Sequence, residues 1–209
     1  LVVGDGESEA TAALARLSQV RSGRLSTPRV DLRLGTEASS AVLAGDLRGY
    51  EVLHLAAHGF VDREFPQFTG IGLARRGEGD HGMFTIGDAL ELDLDANLVV
   101  LSACQTARGE VKQGEGVQSL ARAFLYAGAR GVVASLWDTH DEAAAQTMEE
   151  FYRGAMRRGL PPGRALREAK LSVRRGAELR PVGESRGSDS LESGHPFFWA
   201  PFIYIGLPR

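Results

Sequence analysis

His58 and Cys104 are the side chains of this sequence best suited to covalent chemistry. A cysteine attacks a carbonyl as its thiolate, and an imidazole titrates in the range needed to take the thiol proton and hand it on. Each closes an apolar run: Glu51–Ala57 leads into His58, and Asn97–Ser102 leads through Ala103 into Cys104. Gly59 follows the histidine and Ala103 precedes the cysteine, small residues of the kind needed where backbone must approach a substrate. The backbone N–H groups of Gly59 and Cys104 are the natural donors to an oxyanion on the attacked carbonyl. The competing reading of a lone cysteine at a strand end is a small, inert core residue. His54 shares the strand with His58, but four residues of extended chain hold the two about 13 Å apart, so His54 is expected to be a packed or hydrogen-bonded histidine.

The elements that must position these groups follow from the apolar pattern. Runs bounded by turn residues alternate with helix-period segments along the chain, which is the signature of an α/β fold with a mostly parallel sheet covered by helices. Strands are expected at Leu1–Val3, Arg29–Leu34, Glu51–Ala57, Asn97–Ser102, Gly131–Trp137 and, rich in aromatics, Phe197–Ile205. The third of these is apolar almost throughout, as burial on both faces requires. Helices are expected at Glu9–Val20, from a cap at Thr36 to Leu47, at Thr85–Leu90, at Glu115–Ala127 with Gly128 ending it, at His140–Arg158, and from Pro162 to Arg175. Residues 60–82 suit a β-hairpin excursion off the sheet. Gln105–Gly114, directly after the cysteine, loses apolar character and is expected to be a loop able to gate the site. Residues 176–195, rich in Gly, Ser, Glu and Arg, suggest a mobile loop. In open sheets of this kind reactive groups gather beyond the carboxyl ends of the strands, where His58 and Cys104 both fall.

Composition narrows the function classes. The chain has 209 residues, 43% hydrophobic and 24% charged, enough for one self-sufficient globular core. A net charge of −3 without a basic stripe gives no reason to expect nucleic acid. No apolar run is long enough to suggest a membrane span. The single cysteine cannot form an internal disulfide and favours a reducing, cytoplasmic setting. One cysteine with scattered histidines has no zinc-ligand spacing, so no metal is expected. Gly114-Glu115-Gly116 lacks the third glycine of a dinucleotide fingerprint, so no cofactor is expected either. No Gly-x-Ser-x-Gly elbow supports a serine hydrolase. Because the chain opens on an apolar strand rather than a methionine, residues 1–209 are expected to be one domain from the C-terminal part of a longer polypeptide.

His58 precedes Cys104 by 46 residues, close to the interval of about 50 between the caspase histidine and cysteine. Five blocks carry a wider resemblance: His54-Leu55-Ala56-Ala57-His58-Gly59, Leu101-Ser102-Ala103-Cys104-Gln105-Thr106, Gly114-Glu115-Gly116, Ala134-Ser135-Leu136-Trp137, and His195-Pro196-Phe197-Phe198-Trp199-Ala200-Pro201-Phe202. In this order they resemble the signature blocks of CHAT domains, caspase-like cysteine peptidases related to caspases and separases and often fused behind TPR repeats. The resemblance implies an α/β/α sandwich around a mostly parallel central sheet. It also implies a Cys-His dyad with Cys104 as nucleophile and His58 as its partner, a protein or peptide substrate, and a TPR or sensor region upstream.

Against the caspase pattern Gln-Ala-Cys-x-Gly, Ser102 stands where a glutamine helps hold an acidic P1 residue. The departure argues against strict aspartate specificity and for a basic P1 residue, as in separases. A basic side chain needs a carboxylate, and Asp138 and Asp141 follow the fifth strand. Either could supply it, or could cap the helix that starts near His140. Trp137, Phe197, Phe198 and Trp199 could line the pocket or pack at strand ends. The leading expectation is a cysteine endopeptidase, and the alternative is a catalytically silent caspase-like interaction module.

Overall fold

The computed structural model of the chain describes residues 1–4, 30–62, 64–102, 115–175 and 194–207, with backbone alone for 115–119. In chain order these form β1 (Val2–Gly4), β2 (Leu32–Leu34), a 3-10 turn at Gly35–Glu37, α1 (Ser40–Leu43), β3 (Val52–Ala56), β4 (Gly59–Phe60), a 3-10 turn at Pro66–Phe68, β5 (Gly70–Gly72) and β6 (Met83–Thr85). There follow α2 (Ile86–Leu90), β7 (Leu98–Leu101), α3 (Glu115–Tyr126), β8 (Gly131–Ser135), α4 (Asp141–Tyr152) running into a π-helical turn at Arg153–Arg157, α5 (Pro162–Arg175), α6 (Pro196–Trp199) and β9 (Phe202–Gly206).

The main sheet has the order β2-β1-β3-β7-β8-β9; all neighbours are parallel except β9, which runs antiparallel to β8. Every residue of β7 and β8 is buried, which explains why both are apolar without alternation: helices cover both faces. On one face Leu53, Leu55, Val99, Leu101 and Val132 pack against Ala89 of α2 and Leu120, Ala121 and Phe124 of α3. On the other, Val2, Val100 and Val133 meet Met148 and Phe151 of α4 and Leu166 and Ala169 of α5. Adjacent residues of a strand thus serve opposite layers, the α/β/α sandwich implied above. Phe124 and Phe151 are fully buried, each stabilising its layer by about 1.5–3 kcal/mol.

Helix ends follow their local chemistry. Thr85 accepts from the Asp88 backbone N–H while the Asp88 carboxylate accepts from the Thr85 N–H, a reciprocal cap that fixes the start of α2. Beyond α3, Gly128 takes φ +112°, and a Cβ there would lie 2.1 Å from the Leu94 carbonyl oxygen, so only glycine turns the chain at this point.

Four expectations are corrected. Thr36 lies inside the 3-10 turn and starts no helix to Leu47; α-helical structure in that stretch is limited to Ser40–Leu43. The last strand starts at Phe202 rather than Phe197, because Pro196 at the first helical position and the His195 side chain accepting from the Phe197 N–H set up α6 instead. Among residues 30–34, the described part of the expected second strand, Leu32–Leu34 form the ladder with β1. The excursion after His58 is a small antiparallel sheet, β4-β5-β6, one strand more than a hairpin. The segments Glu9–Val20 and Gln105–Gly114 and most of 176–195 lie outside the described residues.

Candidate active site at the carboxyl end of the sheet

Three central strands carry the site, and their register sets its geometry. Leu55 of β3 pairs with Leu101 of β7, and Leu101 with Ala134 of β8. Three residues beyond these level positions come His58, Cys104 and Trp137. The strand ends are tied together by the Ser102 N–H, which donates to the Leu55 carbonyl at 2.9 Å.

His58 is exposed directly after buried Ala57. Its carbonyl accepts from the Gly72 N–H at 2.7 Å, which fastens its backbone to the small sheet. That bond also makes Gly59 and Ile71 a non-hydrogen-bonded pair, so the Gly59 N–H is turned away from β5. Cys104, with its backbone N–H, lies outside the described residues, so its distance to His58 is not part of the geometry. Ser102 is buried, 6% exposed, at the end of β7.

Asp138 is half-buried and Asp141 exposed, both between the end of β8 and the first turn of α4. Neither occupies the N-cap position of the helix. His140 holds the N-cap position, makes no side-chain cap bond, and leaves Asp141 and Glu142 in the positively polarised first turn. Since β7 separates β3 from β8, the aspartate segment stands about 10 Å across the sheet from the His58 strand.

The aromatic residues pack on each other along this rim. Trp137 Nε1 donates to the Phe197 carbonyl at 3.2 Å, His140 and Phe198 meet edge to face at 5.8 Å, and the Arg174 guanidinium lies 5.4 Å over Trp199. Phe197 still presents part of its ring to solvent.

His54 is a structural histidine, as expected. It is 1% exposed, its Nδ1 lies 2.8 Å from the Tyr152 hydroxyl, and its Nε2 has no hydrogen-bond partner among the described residues. Burial lowers its pKa to about 3 and keeps the ring neutral. Tyr152 was not singled out from the sequence, although it follows Met148 by one helical turn on the buried face of α4.

Among the described residues no group of three His, Cys, Asp or Glu side chains could hold a metal ion, and no helix is long and apolar enough to cross a membrane. A cleft of about 660 Å³ opens at the opposite, amino end of the strands, between Glu51, Asn97, Arg130, Met156, Tyr204 and Leu207.

Comparison with known proteins agrees with this architecture. The family model described as CHAT domain matches residues 4–207. The chain is also similar to tetratricopeptide repeat protein 28 of Mus musculus and of Homo sapiens, 35% identical to each over 124 residues, which is 59% of this chain. It spans only 4% of the length of these curated relatives.

Proposed function

The chain belongs to the CHAT-domain family, and on that premise we propose that it is a caspase-like protein-interaction domain that receives an extended polypeptide at the carboxyl end of its sheet. The observation that carries this reading is the level ending of three parallel strands. They present exposed His58, the aromatic rim of Trp137 and Phe197, and the carboxylates of Asp138 and Asp141 on one side of the molecule. Such a rim suits apolar and basic side chains of a peptide. The reading requires nothing of Cys104. A TPR or sensor region in the same polypeptide and a cytoplasmic setting belong to this proposal, supported by the names of the relatives and by the lone cysteine.

A second reading makes that surface a cysteine endopeptidase site, favoured by the sequence positions of His58 and Cys104, each three residues after one member of the paired Leu55 and Leu101. The Cys104 thiol gives its proton to His58, and its sulfur attacks the scissile carbonyl. The oxyanion is held by the N–H groups of Gly59 and Cys104. When the C–N bond breaks, the proton passes from His58 to the amine, leaving a thioester. Water, deprotonated by His58, then attacks the thioester to release the carboxylate and restore the thiol. Asp138 or Asp141, with Ser102 at the base of the pocket, would select a basic P1 residue.

One experiment separates the readings: a peptide library is offered to wild type and to Cys104→Ala, with binding and cleavage scored separately. Cleavage by wild type alone establishes the peptidase. Binding by both proteins without cleavage establishes the interaction module. If neither protein binds nor cleaves, both readings fall.

A further inference from the structure

Lys170 is one of two lysines in the chain, the other being Lys112. It sits on α5, and its Nζ donates to the carbonyls of Phe202 at 2.8 Å and Ala200 at 3.3 Å. The direction of the Phe202 carbonyl gives this contact its meaning. β9 is the last strand of the main sheet among the described residues. Ser135 pairs with Phe202, and the Leu136 N–H donates to the Pro201 carbonyl at 2.8 Å. This makes Ser135 and Phe202 a non-hydrogen-bonded pair, so the N–H and C=O of Phe202 face away from β8, as do those of Tyr204 and Gly206 further along.

Among the described residues β9 is therefore a five-residue edge strand, Phe-Ile-Tyr-Ile-Gly, with no charged side chain and no internal proline. Outward-facing backbone groups on such an apolar edge are a template for another strand, and two identical antiparallel edges complement each other. We propose that Lys170 guards this edge. Its ammonium occupies the outward acceptor at the start of β9, and antiparallel pairing with β9 of a second copy, centred on Tyr204, would strip each ammonium from that carbonyl and bury it beside the Gly206 end of the other strand. A compact ammonium with three donors suits the task, since it reaches two carbonyls at once. A lysine that only anchored α5 to β9 would lose stability on substitution and gain no self-association.

The test compares wild type, Lys170→Met, which keeps the apolar stem, and Lys170→Arg, which keeps the charge. Each is followed by light scattering over a hundredfold range of protein concentration, with hydrogen exchange at the Tyr204 and Gly206 amides. Lys170→Met is expected to raise the dimer association constant at least tenfold and to protect those two amides as dimer accumulates, while Lys170→Arg behaves as wild type. Equal self-association of all three overturns the proposal, as does association of Lys170→Met that leaves the two amides unprotected. A synthetic copy of residues 201–207 offered to the wild-type protein provides a check independent of variant folding. It should not bind, and binding that protects the Tyr204 amide overturns the guard.

Discussion

The Tyr152 hydroxyl stands 2.8 Å from Nδ1 of His54, joining the third strand of the sheet to the last turn of α4 inside the core. Burial pushes the tyrosine pKa up and the histidine pKa down, so both groups stay neutral and one hydrogen bond links them. His54 Nε2 remains without a partner, which leaves this bond as the ring's polar compensation among the described residues.

Acid should therefore destabilise the fold through His54. The unfolded chain binds the proton near pH 6.5, whereas the folded ring binds it only near pH 3. The stability contributed by the neutral ring is complete above pH 6.5 and is lost as pH falls through the window down to 3, at up to about 1.4 kcal/mol per pH unit. Urea unfolding at pH 7 and pH 5 should show wild type losing about 2 kcal/mol more than His54→Gln. Parallel losses would mean that His54 is reached by solvent before unfolding.

Removing the other half of the pair tests the bond itself. Tyr152→Phe keeps the ring against Phe151, 5.1 Å away, but leaves both nitrogens of His54 without a described partner. A loss of about 1–3 kcal/mol is expected in urea unfolding at neutral pH. A change under about 0.5 kcal/mol would show that the hydroxyl contributes no net stability.

Gly128→Ala should be among the most damaging small substitutions. A Cβ at φ +112° would meet the Leu94 carbonyl oxygen at 2.1 Å, and Leu94 is also held to this turn by its N–H donating to the Ala127 carbonyl at 2.8 Å. Backbone strain of at least about 2 kcal/mol follows, or about 4–8 °C in Tm for a chain of this size. Thermal unfolding by calorimetry checks it, and an unchanged Tm would mean the turn can open without loss.

These contrasts explain how much was legible in the sequence. β3, β7 and β8 announce themselves because strands buried on both faces are apolar almost throughout, with His54 and Ser135 as exceptions, and α5 because Pro162 opens a segment with Leu166 and Val173 at helical spacing. Gly128 was legible because a helix stop of that kind needs left-handed backbone freedom. The error at Phe197–Trp199 has a physical cause: aromatic residues favour strands on average, but a proline at the first helical position and a histidine able to cap decide locally for a helix. The His54 to Tyr152 bond spans 98 residues of chain, so nothing local in the sequence encodes it. His58 was placed correctly at a strand end because its strand was. The N-cap position falls to His140 rather than to either aspartate, because a cap depends on backbone torsions that composition does not fix.

The peptidase reading makes a sharp demand on two residues. If Cys104 and His58 act as a unit, Cys104→Ala and His58→Ala should each abolish cleavage while leaving the circular dichroism spectrum intact, and the double variant should be no worse than either. An electrophile directed at thiolates should label Cys104 faster than free cysteine and slow down in His58→Ala. Slow labelling indifferent to His58, with peptide binding retained in all variants, would assign the domain to recognition alone.

Specificity provides the final test, since the aspartates matter differently under each role. An arginine side chain entering the rim would find a carboxylate either at half-buried Asp138 or at exposed Asp141. The half-buried residue should dominate, because a charge pair in water is worth little while one shielded from water is directional and strong. Asp138→Ala is accordingly expected to lower kcat/KM, or affinity if there is no turnover, by at least thirtyfold for peptides with arginine at P1, about 2 kcal/mol or more. Asp141→Ala should cost less than about 1 kcal/mol. Lysine at P1 should be taken less well than arginine, since it cannot bond a carboxylate bidentately. A preference for aspartate or for apolar P1 residues would discard the basic pocket. An arginine preference indifferent to both substitutions would keep the pocket and move its countercharge elsewhere.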